Sequence, residues 1–189
     1  MKKIHALLAV LTLLSTTAQA DLAWVDATQY DANQVDYFSF QVDAAGEVNI
    51  YTASNAPFNP LLTLWTTTAA NPTAADWTKL AFNDDRATDN FFETTNSKDS
   101  QLVLNLGIGN YLATITGFGN NTLGNTLSSG FSGGGTLSST FLYSLNIDSS
   151  VVSALESANP PAAVPLPATA WMLISGLMGV LGISKRKSR

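Results

Sequence analysis

Oxygen-bearing side chains are the groups of this 189-residue chain that could do chemistry, because it has no cysteine and one histidine, His5. Acids cluster after an amide at Asn83, Asp84 and Asp85, and Asp99 follows. Adjacent carboxylates repel unless a cation or a donor neutralises them, and hard oxygen ligands on a loop suit Ca²⁺. The sequence therefore predicts a calcium site at Asn83, Asp84, Asp85 and Asp99.

Two alternatives explain the same acids without a metal. Asn83 and Asp84 could form an Asx turn between two strands, with the carboxylates solvated. Arg86 and Lys98 could also neutralise the acids directly. The regular acidic spacing of an EF-hand is absent, so the sequence leaves these alternatives open.

Enzymatic chemistry would have to use carboxylates alone. His5 lies in the N-terminal leader described below, so nucleophilic sites that need His or Cys are excluded, as are ordinary zinc and haem sites. A pair such as Asp85 and Glu93 could in principle form a glycosidase dyad, but spacing in sequence does not set the separation that this reaction needs. We predict a protein that is not an enzyme.

Aromatic side chains offer a different activity, the stacking of sugar rings on a flat apolar face. Trp77 lies in the polar stretch 71–79, and we predict that Trp77 and Tyr51 stack on sugars. Core packing is the competing explanation, and it is stronger for Trp65, which lies on a predicted strand. Trp24 is expected to pin the first segment onto the rest of the body.

The elements that position these residues are strands, because apolar residues recur with a period of two. Alternation is clearest at 38–42, 48–50 and 102–106, and further strands are predicted at 61–66, 79–82, 111–116 and 141–147. Seven or more short strands with one apolar face each predict an all-β fold, an antiparallel β-sandwich. Between them, 117–139 is rich in Gly, Ser, Asn and Thr and is predicted to be a flexible loop, with ligand contact as the alternative.

Both ends of the chain have the composition of targeting segments. Lys2 and Lys3, an apolar run at 4–14 and the small-residue site at 18–20 predict a signal peptide over 1–20, cleaved before Asp21 by signal peptidase. An uncleaved anchor is the alternative, although the run is short for a bilayer span.

The C-terminal end combines three parts in a fixed order. A proline-rich segment at 159–167 precedes an apolar stretch at 168–184, which predicts a transmembrane helix, and a basic tail follows at 185–189. The basic tail predicts a cytoplasmic C-terminus, with the β-sandwich domain at 21–158 on the outer side. This end resembles the PEP-CTERM sorting signal in its VPLPA form, carried by Val164, Pro165, Leu166, Pro167 and Ala168.

What the PEP-CTERM resemblance implies is delivery to a membrane-embedded exosortase. Leu166 stands where the name-giving form has Glu, so the exosortase subtype stays open. An ordinary C-terminal anchor that is never cut is the alternative, because proline-rich linkers also precede single spans.

Short landmarks in the body lie, in order, at 36–40, 44–48, 59–64, 80–85, 99–102 and 109–113. Through them the body resembles pre-peptidase C-terminal-like β-sandwich domains, most closely the variant found on PEP-CTERM proteins. The likeness runs from about Asp31 to Phe118, and it loosens at the 117–139 loop and the following strand. The resemblance implies a non-catalytic, jelly-roll-like sandwich that accompanies secreted enzymes and surface proteins.

The net charge of the body excludes one class of binding partner. Lys79, Arg86 and Lys98 are the only basic residues between the two targeting ends, against all fourteen acids, so the mature body has a formal net charge of −11. Such a body is repelled by nucleic acid.

Together these features predict export across the inner membrane of a Gram-negative bacterium. A transient membrane anchor would precede a structural or adhesive role at the cell surface or in the extracellular polysaccharide matrix, where exopolysaccharide is the expected partner. The alternative is a carbohydrate-binding module that uses exposed aromatics and the polar loop.

Overall fold

The structure, a computed structural model, describes residues 21–85, 96–135 and 139–158. These residues form nine strands and one short 3₁₀ helix at Leu127–Ser129. The strands are β1 Asp21–Gln29, β2 Val35–Val42, β3 Gly46–Ser54, β4 Pro60–Thr67, β5 Thr78–Asn83, β6 Gln101–Leu106, β7 Gly109–Gly117, β8 Phe141–Ser149 and β9 Val152–Ala158.

The strands pair into two antiparallel sheets. The four-stranded sheet has the order β1-β8-β3-β6, and the five-stranded sheet has the order β5-β4-β7-β2-β9. Alternate residues of each strand face the space between the sheets, where they form the main core. The all-β, two-sheet antiparallel sandwich predicted from the alternation is confirmed, and each of the seven predicted strands is observed.

Two edge strands, β1 and β9, were not predicted. On β1, Val25 and Ala27 pack against the core, while the outward Leu22 and Trp24 are also apolar but exposed. Because β1 carries apolar residues on both faces, its sequence does not show the alternation of apolar and polar residues that predicts a strand. The pinning role predicted for Trp24 is wrong, because its side chain is 60% exposed and the main-chain ladder to β8 holds this segment.

A second apolar layer covers the outer face of the five-stranded sheet. Trp65 and Leu112 point outward there and pack with Trp77 and Leu127. The Trp65 ring lies edge-on to Phe131, with centroids 6.4 Å apart, and Trp65 Nε1 donates to Thr114 Oγ1 at 3.0 Å. This layer explains why β4 is buried from Pro60 to Trp65 without alternation.

The layer is built by the Gly- and Ser-rich segment that was predicted to be a flexible loop. Its main chain bonds to the β4–β5 connection, where Leu127 N donates to Trp77 O at 3.1 Å and Ser128 N to Ala74 O at 2.9 Å. Gly135 N donates to Ala32 O at 3.1 Å, and a Cβ on Gly135 would lie 2.6 Å from that oxygen. The described part of the segment is therefore a docked cover of the sheet, and the interpretation as a loose excursion is wrong.

The predicted signal peptide, sorting motif, transmembrane helix and basic tail lie outside the described residues. Within 21–85, 96–135 and 139–158, no helix is long and apolar enough to cross a membrane.

Candidate functional site

A groove of about 290 Å³ lies on the outer side of the five-stranded sheet, beside the apolar cover. It is open to solvent, and its walls come from β2, β7, β9 and the connection between β4 and β5. Its lining residues are Ser39, Phe40, Gln41, Pro72, Trp77, Asn110, Tyr111, Ala154 and Glu156.

An irregularity in β9 shapes one wall. Ser39 of β2 pairs with Glu156 and Gln41 pairs with Ser153, so two residues of β9 oppose the single residue Phe40. Ala154 in this bulge has φ of 53°, in the left-handed region that residues other than glycine rarely adopt. Bulges of this kind turn side chains into new directions and are common beside functional sites.

Polar side chains in the groove are available to a ligand. Among the described residues, the side chains of Ser39, Asn110 and Glu156 make no hydrogen bond to another group. Gln41 donates from Nε2 to Asp43 Oδ1 at 2.8 Å, which leaves its amide oxygen as an acceptor. The groove therefore offers a hydroxyl, amide groups and a carboxylate beside an apolar wall.

Sequence reasoning missed these polar residues because they lie far apart along the chain. Ser39, Asn110 and Glu156 belong to three strands that meet only through the register of the sheet. The available signal was the outward position of Ser39 in an alternating strand, which gives no neighbours by itself.

The sugar-stacking residues predicted from sequence do not present exposed faces. Trp77 is 5% exposed and Tyr51 is 5% exposed. Trp77 is buried because Leu127 of the covering segment packs against it, although its own sequence surroundings are polar. It borders the groove, but it is not an open stacking platform, and Tyr51 does not line the groove.

The predicted calcium ligands divide between two environments. Asp99 is fully buried, and both carboxylate oxygens accept hydrogen bonds from β3. Ser54 Oγ donates to Asp99 Oδ1 at 2.7 Å and Ser54 N to Oδ2 at 3.2 Å, while Thr52 Oγ1 donates to Oδ1 at 3.2 Å. Asp99 thus ties the segment before β6 to β3.

Asn83, Asp84 and Asp85 lie at the end of β5 and just beyond it. Asn83 Oδ1 accepts from Gln101 N at 3.0 Å, so this side chain joins β5 to β6. The Asn59 amide is oriented so that its nitrogen donates to Asp85 Oδ1 and to Lys98 O, each at 3.3 Å. Burial raises the pKa of Asp84, the charge of Asp85 raises it further, and Lys98 opposes them.

Within the described ranges, no group of three or more His, Cys, Asp or Glu residues is placed to hold a metal ion. Asp84, Asp85 and Asp99 therefore do not form the joint cluster that the sequence predicted, because Asp99 is directed to β3. The acids at 89 and 93 lie outside the described residues. Calcium at the Asp84 and Asp85 turn stays a prediction.

A second polar cluster, partly buried and not revealed by the sequence, joins the two sheets. The Asp36 carboxylate accepts from Tyr143 Oη at 2.6 Å and from Gln29 Nε2 at 3.0 Å on Oδ2, and from Gln34 Nε2 at 2.6 Å on Oδ1. Gln29 also donates to Ile115 O at 3.3 Å. These contacts connect β1, β2, β7 and β8, so the cluster has a structural explanation.

Comparison with known proteins gives a likeness of fold. No family model and no curated protein matches the sequence. The pre-peptidase C-terminal domain of a collagenase from Bacillus anthracis is similar in structure, with a TM-score of 0.41, 10% identity and coverage of 66% of this chain and 87% of that chain. The mitogen derived from Yersinia pseudotuberculosis is similar with a TM-score of 0.41 and 14% identity, covering 74% of this chain and 99% of that one.

Proposed function

We propose that this chain is an exported, non-catalytic protein that an exosortase sorts to the cell surface or extracellular polysaccharide matrix of a Gram-negative bacterium. Its role there is structural or adhesive. The single observation that carries the proposal is the order of the C-terminal parts, in which Val164 to Ala168 precedes an apolar stretch and a basic tail. Signal peptidase acts at the N-terminus, and the apolar stretch anchors the chain until the exosortase processes it.

The non-catalytic part of the proposal is supported by the contacts of two acids, Asp99 and Asp36. Asp99 accepts hydrogen bonds from β3, and Asp36 accepts them from Tyr143 and two glutamines. Acids held in this way strengthen the packing of strands and are not open to a substrate. The mature body also has no histidine or cysteine to serve as a nucleophile or general base.

The finer assignment of the body is also part of the proposal. We assign it to the jelly-roll-like, pre-peptidase C-terminal-like variant that accompanies the PEP-CTERM signal. Support comes from the landmarks in the sequence and from the interleaved order of the sheets, in which successive strands mostly alternate between the two.

Mass spectrometry of the protein recovered from the surface fraction tests the sorting. We expect the N-terminus at Asp21 and a C-terminus before the basic tail, with Lys185 absent. A matched variant, Pro165→Ala with Pro167→Ala, should stay in the membrane fraction with its tail intact. Recovery of the wild-type protein at the surface with a peptide that includes Lys185 would contradict processing and leave a plain membrane anchor.

A further inference from the structure

The groove between β2, β7 and β9 selects against anions. None of its lining residues is basic, and Glu156 supplies a carboxylate. Asp43 accepts a hydrogen bond from Gln41, so a second acid lies next to a residue that lines the groove. Because the mature body also has a formal net charge of −11, a phosphate or a uronic acid would be repelled. The ligand that fits is therefore neutral or cationic.

The surfaces of the groove favour a neutral ligand with many hydroxyl groups. Pro72 and Ala154 supply the accessible apolar surface, beside Trp77, which is 5% exposed. Ser39, Asn110 and Glu156 provide donors and acceptors that no described residue occupies. A sugar ring has the matching character, because its C–H face packs on apolar groups and its hydroxyls both donate and accept. A cation would need only the carboxylate and would leave the hydroxyl and amide groups without a role.

Size and shape agree with this chemistry. A volume of about 290 Å³ is at the small end of the range of about 300–1,000 Å³ that small-molecule sites occupy. The groove is open to solvent, so a longer chain can enter and leave while a short stretch of it is held.

One wall of the groove has an unusual backbone conformation. Ala154 is held in the left-handed region at φ of 53°, where residues other than glycine are rare and persist only when the surroundings enforce the conformation. Residues strained in this way cluster at binding sites, which supports a role for this wall.

We propose that this groove binds a neutral saccharide unit of an extracellular polysaccharide, with Asn110, Glu156 and Ser39 as hydrogen-bonding residues and Pro72 and Ala154 as the apolar wall. The inference rests on the proposed function in one respect only, namely that the protein encounters the polysaccharide at the cell surface or in the matrix. Binding is measured on purified protein and sorting is measured in cells, so either can fail alone.

The test is titration of the full-length chain in mild detergent with short oligosaccharides of glucose, mannose, galactose and N-acetylglucosamine, followed by calorimetry and by NMR shifts. We expect saturable binding of at least one neutral oligosaccharide, shifts at Asn110 and Glu156, and little effect of salt. Asn110→Ala combined with Glu156→Ala should weaken binding about tenfold, since both hydrogen-bonding side chains are removed.

The matched control makes the same two changes on the opposite sheet, Asn105→Ala with Glu47→Ala. These residues pair across β6 and β3 and are exposed. The control should bind like the wild type. The proposal is overturned by no saturable binding of any of these neutral oligosaccharides, or by binding of the groove variant that equals that of the wild type.

Discussion

Tyr143 on β8 donates a hydrogen bond of 2.6 Å from its hydroxyl to the carboxylate of Asp36 on β2, and so joins the two sheets directly. Tyr143 is 3% exposed, and Asp36 also accepts from Gln29 and Gln34. A partly buried carboxylate loses part of its hydration and is stabilised when protein donors replace that water. The phenol is therefore one of three side chains that donate to this partly buried carboxylate.

Replacing Tyr143 with Phe should lower the free energy of unfolding by about 1.5–3 kcal/mol, the range for a hydrogen bond to a charged group. The ring packing against Phe38 and Phe58 is retained, so the loss reports the hydroxyl. Urea unfolding followed by fluorescence measures it. Tyr30→Phe, at a side chain that is 72% exposed, is the control and should leave the midpoint unchanged. Equal midpoints for all three proteins would refute the structural role of the contact.

The same pair predicts how stability changes in alkali. Burial raises the pKa of Tyr143 well above its ordinary value of 10.0, and the Asp36 charge raises it further. The folded state therefore keeps a proton that the unfolded chain releases near pH 10, so stability contributed below that pH is lost as pH rises toward the folded pKa. Thermal melting between pH 8 and about 11 should show a steeper fall for the wild type than for Tyr143→Phe. Parallel curves would contradict the raised pKa.

Asp84→Asn separates the two interpretations of the acidic turn. Because burial and Asp85 raise the pKa of Asp84, the charged form is disfavoured in the folded state, and stability rises as pH falls through that pKa. Without added metal, the variant should melt slightly higher than the wild type at pH 7, and the difference should vanish at about pH 3.

If calcium binds at this turn, Asp84→Asn should be less stable than the wild type in the presence of Ca²⁺. The wild type would then melt several degrees higher in millimolar Ca²⁺ than in chelator, and Asp84→Asn would lose that increase. Equal melting temperatures of the wild type in both buffers would remove the calcium prediction and leave an acidic turn without a metal.

Leu127→Ala tests whether the covering segment contributes to stability. Leu127 is 5% exposed against Trp65, Trp77 and Leu112, so its truncation should lower the free energy of unfolding by about 2 kcal/mol or more. Leu123→Ala is the matched control in the same segment, where the side chain is 65% exposed and the expected change is within about 0.5 kcal/mol. Denaturant unfolding compares them. Similar small losses in both variants would mean that the segment only rests on the sheet.

Local pattern was enough to predict the strands that face the core. Residues such as Phe38, Phe40 and Val42 alternate with more polar neighbours because one face of each strand is buried and the other is more exposed to solvent. This period of two can be recognised in a single strand, without knowing which strand pairs with it. The class of fold follows, since many half-buried strands need a second sheet to cover them. The lack of cysteine and the charge of the body were likewise available from composition alone.

Only the tertiary structure decided what covers the outer face of the five-stranded sheet and which distant residues meet. Trp77 has polar neighbours in sequence, yet Leu127, fifty residues later, buries it. The sequence predicted Asp99 as a calcium ligand together with Asp84, but in the structure its carboxylate accepts hydrogen bonds from Ser54 of β3. Ser39, Asn110 and Glu156 become neighbours through strand register and through the extra residue at Ala154. Alternation records only which face of a strand is buried, and it holds no information about the element that lies opposite that face.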